Sequence, residues 1–407
     1  MTSPATALKL LHPVWRKLPP GLRRQLYATI TGHLATPARW TAATPRTPSE
    51  PYIVAGPLSA PTGLGQASRL VLAGLIAAGR DVSAVDLGPI LMQPATIPVP
   101  VLPLPRLGPG TVLLMSQPPT IAHSLAAIGR GLLRDKLRLG LWAWEIDRLP
   151  PIWLAERRFV HAVAAPSRFV QTIFETTFNE PVRHVPWPLG AIPAPPRTEL
   201  ARRDIVFGAA MDLGSTVARK NPFATVTAFR GAFTVEGPAR LLLKLRDPGS
   251  APQAFARLQE LLAQPGAPID LELGNLGPEG IESWWRRIDV LVSLHRSEGF
   301  GLLPAEAMQR GVPVIATDWS ATAEFVTREN GWPVEARPVP VRDDTGRYAL
   351  DGAIWGEPDP GAAVAAMRAA ASDRDGVTRK GAQAARTIAR AYSTTRFLDA
   401  LERPVRA

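Results

Sequence analysis

Two carboxylates with seven residues between them are the first groups in this sequence that could bind a ligand. Glu298 follows the apolar run DVLVSLH, and Glu306 lies one turn inside a helix predicted to begin at Leu302. Gly299 and Gly301 let backbone amides approach a ligand closely, and the first turn of a helix offers unpaired N–H groups. These features predict a diphosphate site, with one carboxylate facing a sugar and the other a ribose.

An alternative interpretation is that these glycines close a turn and that both glutamates are solvated. The order of elements argues against it. A strand, DVLVSLH (289–295), precedes the glycines, and a second strand, PVIATDW (313–319), follows the helix. Open α/β sheets bind ligands at the carboxyl ends of their strands, so the sequence favours a binding site here.

Two further residues are candidate contacts for a second substrate. Glu145 ends the predicted strand LRLGLWAWE (137–145), flanked by Trp142 and Trp144, and either meets a ligand or is a paired structural carboxylate. His123 follows a strand and a loop, where it contacts a sugar hydroxyl or a phosphate, or lies on a helix surface. Both are assigned to the second substrate.

Two other conspicuous pairs are left out of the predicted site. Trp284 and Trp285 are predicted to be core residues rather than a platform for a base. Asp343 and Asp344 lack the D-x-D spacing of a metal motif. The chain contains no cysteine, which excludes disulfides, Cys-ligated zinc and thiol nucleophiles. We expect neither a metal nor a cofactor.

Short apolar runs alternate with helical patterns twice along the chain, from Pro51 and again from Asp204. This alternation is typical of doubly wound parallel sheets, so we predict an α/β fold with two Rossmann-like domains facing each other across a cleft. The predicted segments are a basic extension (1–50), a first domain (51–200), a second domain (201–360) and C-terminal helices that cross back to the first domain (361–407).

The net charge of +11 is concentrated in the N-terminal extension. No acid precedes Glu50, whereas seven Lys and Arg residues do, which leaves +4 for the rest of the chain (11 − 7). An apolar stripe with basic neighbours consists of Leu22, Leu26, Ile30, Leu34, Arg23 and Arg24. This stripe predicts contact with an anionic membrane surface, or packing on the first domain. The body is near neutral, so nucleic acid is not a predicted partner.

The composition favours a folded soluble protein, with 46% hydrophobic and 20% charged residues in 407 positions. An uncharged stretch, residues 87–105, contains six prolines, which prevent a continuous membrane-spanning helix. The start of the chain lacks a signal-peptide pattern. We expect a cytoplasmic protein that extends to the inner face of the cell membrane if the basic extension binds there.

The segment around the two glutamates resembles a known family. E-G-F-G-L-x-x-x-E-A-M-x-x-G-x-P-V-I-A-T is similar to the E-x7-E signature of retaining glycosyltransferases of family 4, which have the two-domain GT-B fold. Three upstream segments resemble a bacterial, mannosyltransferase-like branch: GLWAWEIDRLPPIW, VAAPSRFVQTIFE and DLGSTVARKNPFATVTAFRGAF. The resemblance extends from about residue 51 to residue 400.

The resemblance implies a role for each matched residue. The residues that it assigns to the donor are Arg219, Lys220, Glu298, Gly299, Phe300, Gly301, Leu302, Glu306, Gly63 and Gly65. Arg219 and Lys220 would pair with the donor diphosphate and, with Glu298, form the catalytic group. Glu298 and the amides that follow it would contact the sugar and the phosphate, and Glu306 would bind the ribose hydroxyls.

Gly63 and Gly65 would form a glycine loop of the first domain near the reaction centre, although Gly-x-Gly after a strand is also an ordinary turn. On this resemblance the first domain binds the acceptor and the second binds the nucleotide sugar.

The implied reaction is sugar transfer from a nucleoside-diphosphate sugar with retention of configuration. A helix dipole and two cations would stabilise the leaving group without a metal. The resemblance favours guanosine-diphosphate mannose as donor, then a uridine-diphosphate sugar. The implied acceptor is a glycan or lipid-linked oligosaccharide of cell-surface polysaccharide synthesis. The alternatives are a transferase that uses a uridine-diphosphate sugar and a non-catalytic subunit of the same fold that binds sugar nucleotides or glycans.

Overall fold

A computed structural model describes residues 35–190 and 204–405, which form two compact units. The first unit contains the described residues up to Trp142, Pro151–Val163 and the residues from Glu402 onward; the second contains Ala143–Pro150 and the described residues of Ala164–Leu401. The domain boundaries expected from the sequence stay a prediction. Among the described residues, no helix is both long enough and apolar enough to cross a bilayer.

The first sheet has six strands in the order β2-β1-β3-β4-β5-β6. Its strands are β1 Tyr52–Gly56, β2 Val82–Asp86, β3 Gly110–Leu114, β4 Lys136–Leu141, β5 Ala162–Ala165 and β6 Arg183–His184. Strand β1 pairs in parallel with β2 and β3, so the chain order reverses between β1 and β3. Strands β1, β3 and β4 are buried along their whole length, as expected for a parallel sheet covered on both faces.

The helices of this part of the chain are α1 Gly63–Ala77, α2 Ile121–Ile128, α3 Arg130–Leu133, α4 Pro151–Arg157 and α5 Arg168–Phe178. Two of them begin at hydroxyl caps that the sequence encodes. Thr62 accepts a hydrogen bond from the N–H of Gly65, and Ser167 accepts one from the N–H of Val170.

The second sheet has the order β12-β11-β10-β7-β8-β9, and its strands run parallel. Its strands are β7 Ile205–Asp212, β8 Ala239–Arg246, β9 Ile269–Leu273, β10 Val290–Ser293, β11 Val314–Thr317 and β12 Gly331–Val334. The chain order reverses between β7 and β10. An antiparallel hairpin of β13 (Ala336–Pro340) and β14 (Ile354–Pro358) follows the sheet.

The helices of the second part are α6 Val217–Lys220, α7 Pro222–Ala232, α8 Pro252–Ala263, α9 Pro278–Arg287, α10 Leu302–Gln309, α11 Pro360–Ser372, α12 Arg374–Ala391 and α13 Thr394–Leu401. The core of this unit joins the central strands to α7 and α11, through buried side chains such as Phe207, Phe229 and Met367. The predicted α/β class with two doubly wound parallel sheets is confirmed.

The prediction that Glu145 ends a strand is wrong, because β4 ends at Leu141. The indole N–H of Trp144 donates to the carbonyl of Arg148 at 2.7 Å, within a bent segment that is not part of a strand. The apolar pattern LRLGLWAWE looks like one strand, but Trp144 packs on Tyr348, with ring centroids 5.4 Å apart. A tertiary contact therefore overrides the local pattern.

Candidate donor-binding site

The chain segments that follow β7 and β10 meet at the carboxyl end of the second sheet, where the strand order reverses. The backbone N–H of Arg296 donates to the carbonyl of Arg219 at 2.8 Å, and Arg219 Nη1 donates to the carbonyl of Ser297 at 2.9 Å. These two bonds hold the Arg-Lys segment against the loop that contains Glu298. A reversal of strand order is where open α/β sheets bind ligands.

Glu298 is ion-paired with both predicted cations. Its Oε2 lies 3.1 Å from Arg219 Nη1, and its Oε1 lies 2.5 Å from Lys220 Nζ. Burial on its own would raise the pKa of this carboxyl, since the side chain is only 11% exposed. The attraction of Lys220 and Arg219 outweighs burial and lowers the pKa of Glu298 to about 2. The structure thus brings these three predicted residues together as one ionised cluster.

Arg219 is almost fully enclosed, with 2% of its surface exposed. Its Nη2 donates to Ser215 Oγ at 3.0 Å, and its guanidinium carbon lies 5.9 Å from the ring centroid of Tyr348. Burial opposes the charge of Arg219, but the attraction of neighbouring groups, including the carboxylates Glu298 and Glu145, outweighs it and raises the pKa of the guanidinium above its ordinary value. A fixed, charged guanidinium matches the geometry of phosphate oxygens.

Helix α10 begins at the end of the glycine loop. Gly301 has a φ of +85°, and a Cβ there would lie 2.6 Å from Thr322 Cγ2, so this position requires glycine. Within the part of the chain that the structure describes, no side chain caps this helix. Its first residue, Leu302, is partly exposed. The positive end of the helix dipole therefore lies beside the ion-paired cluster.

Phe300 and Glu306 occupy different environments in this segment. The Phe300 side chain packs in the core, with ring centroids 5.0 Å from Trp187 and 5.1 Å from Tyr392. Only the backbone of Phe300 could therefore meet a donor, as predicted for its amide. Glu306 is half-buried on α10, and its carbonyl accepts a hydrogen bond from Arg310 Nη1 at 3.2 Å. Its contact with a ribose stays a prediction.

Gly299 is held by two other segments that the resemblance identified. A Cβ on Gly299 would lie 2.5 Å from the carbonyl oxygen of Trp144, and Ser167 Oγ donates to the Gly299 carbonyl at 2.7 Å. The N–H of Glu298 donates to Ser320 Oγ at 2.9 Å. The two serines position the loop and were not predicted. The sequence pattern marks Ser167 as the hydroxyl cap of α5, whereas no sequence pattern marks Ser320.

The model of a family described as family 4 glycosyltransferases in conflict systems matches residues 168–401. The match covers more than half of the 407 residues. The chain belongs to this family. The predicted resemblance to family 4 glycosyltransferases is confirmed.

Short alignments connect this chain to two lipopolysaccharide core biosynthesis mannosyltransferases. Over 74 residues it is 42% identical to LpsB of Rhizobium meliloti. The aligned segment makes up 17% of this chain and 21% of that protein. Over 57 residues it is 47% identical to LpcC of Rhizobium leguminosarum. The aligned segment makes up 14% of this chain and 16% of that protein. The chain thus spans about a fifth or less of the length of these relatives.

Solved structures of low sequence identity share the fold. HepE of Anabaena, in complex with UDP-glucose, has a TM-score of 0.59 at 14% identity, over 86% of this chain and 97% of that chain. A glycosyltransferase of Rickettsia africae has a TM-score of 0.58 at 14% identity, over 86% and 95% of the two chains. These similarities confirm the GT-B fold predicted for this chain.

Glu145 lies in the same unit as the ion-paired cluster, on the segment Ala143–Pro150. It is half-buried, and its charge acts on both Arg219 and Tyr348. This position agrees with the interpretation of Glu145 as a paired carboxylate. Its predicted contact with the acceptor is untested.

Gly63 and Gly65 lie in the first unit, at the start of α1. The N–H of Gly65 donates to Thr62 Oγ1 at 3.1 Å, so this amide is used within the helix cap. A Cβ on Gly65 would lie 2.2 Å from the carbonyl oxygen of Ala60, so glycine is required for close backbone packing. Gly63 is exposed. A role for either in donor binding stays a prediction.

His123 lies on α2 in the first unit and is half-buried. Its Nε2 lies 3.3 Å from the carbonyl oxygen of Ile90, in the connection between β2 and β3. This contact accounts for the position of the ring, and the predicted acceptor contact is untested.

The pairs excluded from the predicted site have structural roles. Trp284 and Trp285 are 2% and 4% exposed, as expected of core residues. The Asp343 carboxylate accepts hydrogen bonds from the N–H of Thr345 at 3.0 Å and from the N–H of Tyr348 at 2.9 Å, which close its own turn. Across residues 35–190 and 204–405, no group of three or more His, Asp or Glu side chains is arranged to hold a metal ion.

The predicted membrane-binding stripe, from Leu22 to Leu34, lies outside the described residues. Its contact with an anionic membrane therefore remains a prediction.

Proposed function

We propose that this protein transfers a sugar from a nucleoside-diphosphate sugar to a glycan acceptor, with retention of anomeric configuration. The observation that carries the proposal is the cluster in which Glu298 pairs with Arg219 and Lys220 at the reversal of the second sheet. Two cations beside an uncapped helix start form a place where the charge of a leaving diphosphate is stabilised. Leaving-group stabilisation supplies most of the catalysis in this proposal.

Each member of the cluster has a separate part in the proposed reaction. Arg219 is enclosed and binds the diphosphate in one fixed orientation, whereas the Lys220 side chain is 24% exposed and follows the charge as it develops. Glu298 keeps the two cations in place before the donor binds. When phosphate oxygens take over the cations, the ionised carboxylate accepts a hydrogen bond from a sugar hydroxyl. The amides of the glycine loop and α10 complete the phosphate contacts.

Guanosine-diphosphate mannose is the proposed donor, with a uridine-diphosphate sugar as second candidate. The two Rhizobium relatives are named mannosyltransferases, which supports mannose. The Anabaena structure holds UDP-glucose, which supports the second candidate.

The proposed acceptor is a lipid-linked oligosaccharide or another glycan of cell-surface polysaccharide synthesis, at the cytoplasmic face of the membrane. The Rhizobium relatives are named for lipopolysaccharide core synthesis, which supports this acceptor class. The basic, acid-free N-terminal extension supports contact with anionic lipid.

A donor panel tests the proposal. GDP-mannose, UDP-glucose and UDP-N-acetylglucosamine are assayed for nucleoside-diphosphate release, with and without a lipid-linked oligosaccharide extract, and the anomeric configuration of the product is read by NMR. We expect release that depends on the acceptor, and an α-linked product from an α-linked donor. Nucleotide binding without release from any donor would favour the non-catalytic subunit. An inverted product would contradict the retaining mechanism.

A further inference from the structure

Tyr348 is a buried aromatic residue that the predicted site did not include. It lies on the connection between β13 and β14, and none of its surface is exposed. Its backbone N–H donates to Asp343 Oδ2 at 2.9 Å, which fixes its position on the connection. One neighbour of its ring is the Arg219 guanidinium, 5.9 Å from the ring centroid. Another is the Trp144 indole, which meets it edge-on at 5.4 Å.

The support for Tyr348 is itself anchored to the same hairpin. Asp147 Oδ1 accepts the backbone N–H of Ile354 at 2.9 Å, and Arg148 Nε donates to the carbonyl of Gly352 at 3.1 Å. These bonds attach the W-x-W-E segment to the end of the hairpin connection. The Tyr348 ring is therefore held in one place between the segment and Arg219.

Charge reinforces this arrangement. Burial raises the pKa of the Tyr348 hydroxyl above its usual range, against the effect of Arg219 and together with that of Glu145. The phenol is therefore neutral at physiological pH. The Arg219 guanidinium thus lies by an aromatic ring and two carboxylates, Glu298 and Glu145, in a poorly solvated site.

We infer that Tyr348 is a positioning residue, which holds the Arg219 guanidinium in the orientation that binds the donor diphosphate. This inference rests on the proposed function. An arginine side chain has several rotamers, and each one that is excluded before binding lowers the entropy cost of binding. The Ser297 carbonyl and the Ser215 hydroxyl accept hydrogen bonds from the guanidinium, and the Tyr348 ring further restricts its orientation. Trp144 acts on Arg219 by packing on Tyr348, and Glu145 acts on it through its charge.

A double-mutant cycle tests the inference with GDP and UDP as calorimetric probes. We expect Tyr348→Leu to weaken the binding of the better nucleotide about tenfold. In an Arg219→Ala background the same substitution should change affinity less than about twofold, because the group it positions is gone. Tyr348→Phe keeps the ring and should bind within about twofold of wild type. If Arg219→Ala does not fold, Arg219→Lys replaces it, and Tyr348→Met replaces an unfolded Tyr348→Leu.

Phe207→Leu is the matched control, because it also removes a fully buried ring from the second unit, but within the core of the sheet. We expect it to lower the melting temperature without weakening nucleotide binding. Equal losses of affinity from Tyr348→Leu in both backgrounds, or wild-type affinity in Tyr348→Leu, would overturn the inference while the proposed function stands. A wild-type protein that binds neither GDP nor UDP would instead overturn the proposed function, and the inference with it.

Discussion

Two glycine-containing loops in this protein look alike in sequence and differ in what their charged groups do. One follows β1 and leads into α1; the other follows β10 and leads into α10. Each loop joins a strand to a helix where the strand order of its sheet reverses, and each has an arginine and a carboxylate nearby. On the strand–glycine–helix pattern alone, both would be expected to bind phosphate.

In the first loop the charged groups are bound to the backbone of the loop itself. Arg69 Nη1 donates to the carbonyls of Leu58 at 2.7 Å and Ala60 at 2.9 Å. Asp86 Oδ1 accepts the N–H groups of Ser59 at 3.1 Å and Gly88 at 3.0 Å. These bonds satisfy the backbone of a tight turn, and they need no ligand.

In the second loop the charged side chains pair with one another. Glu298 holds Arg219 and Lys220, and in the described residues the helix start beside them has no side-chain cap. In the proposed function, a diphosphate replaces the carboxylate as partner of both cations. The glycines are common to both loops, so the direction of the charged side chains is what distinguishes the proposed phosphate site from an ordinary turn.

The largest expected effect comes from removing the carboxylate of each region. Glu298→Gln should lower turnover by about a hundredfold or more, because the group that meets the sugar as charge develops is lost. It should leave nucleoside-diphosphate affinity unchanged or higher, since Arg219 and Lys220 lose a competing partner. Asp86→Asn should lower stability and leave turnover intact. Steady-state kinetics with calorimetric binding of the nucleoside diphosphate checks both variants.

Glu306→Gln sharpens the same measurement within the second loop. Its expected effect is a donor Michaelis constant raised about tenfold with little change in turnover, because ribose contacts change little during the reaction. If Glu298→Gln bound and turned over like wild type, the E-x7-E segment would not be the active site.

Removing the arginine of each region gives the next largest contrast. Arg219→Ala and Lys220→Ala should each weaken nucleoside-diphosphate binding about tenfold to a hundredfold, as expected for one charge-assisted contact. Arg219→Ala should also destabilise the fold by about 3–5 kcal/mol, because it removes a buried partner of Glu298. Arg69→Ala should lower the melting temperature only. Equal losses of affinity from Arg69→Ala and Lys220→Ala would remove the distinction between the loops.

The sequence predicted the two parallel sheets and, through the resemblance, one donor site with Arg219, Lys220 and Glu298, but it did not predict the ion pairs among these residues. Continuous apolar runs between helices are decisive for a parallel sheet, because such strands are buried on both faces. Lys220 and Glu298 are 78 positions apart, and only the resemblance to family 4 assigned both to one site. The resemblance assigned Arg219, Lys220 and Glu298 to the donor, and the structure shows that Glu298 is ion-paired with both cations.

The supporting residues could not be predicted in the same way. Tyr348 lies in a hairpin connection with no periodic pattern, and its role depends on a contact with Trp144, more than 200 positions earlier. The apolar pattern continues past Leu141 and predicts that Glu145 ends a strand, but β4 ends at Leu141. The environment of Gly65 depends on a carbonyl oxygen, which the sequence of side chains does not encode.

Glycine substitutions test the comparison at the loops themselves. Gly65→Ala would place a Cβ 2.2 Å from a backbone oxygen, and Gly301→Ala adds a side chain where φ is +85°. Each should destabilise its own unit by about 1–3 kcal/mol. Only Gly301→Ala should also weaken nucleoside-diphosphate binding, by about threefold to tenfold, because it moves the start of α10. Thermal melts and calorimetry on both variants decide it, and weaker binding by Gly65→Ala would give the first loop a role in the donor site.

The smallest expected effect is an opposite pH dependence of two buried glutamates. Glu298, between two cations, has its pKa lowered from 4.5 to about 2, whereas burial raises the pKa of Glu156, which accepts the N–H of Ile121, to about 7. Glu298 therefore contributes stability above pH 4.5 that is lost as the pH falls toward 2. Glu156 contributes stability below pH 4.5 that is lost as the pH rises through 7.

Hydrogen exchange at pH 3, 5 and 7 measures the stability of the two units separately, since Glu156 lies in the first unit and Glu298 in the second. Between pH 5 and 3 the strands around β10 should lose protection in wild type, and much less in Glu298→Gln, which starts from lower protection. Between pH 5 and 7 the start of α2 should lose protection in wild type but not in Glu156→Gln, where a neutral amide accepts the same N–H groups at every pH. Parallel behaviour of the two units would mean that the charge environments of their carboxylates do not differ, and the contrast between the two regions would then rest on the cations alone.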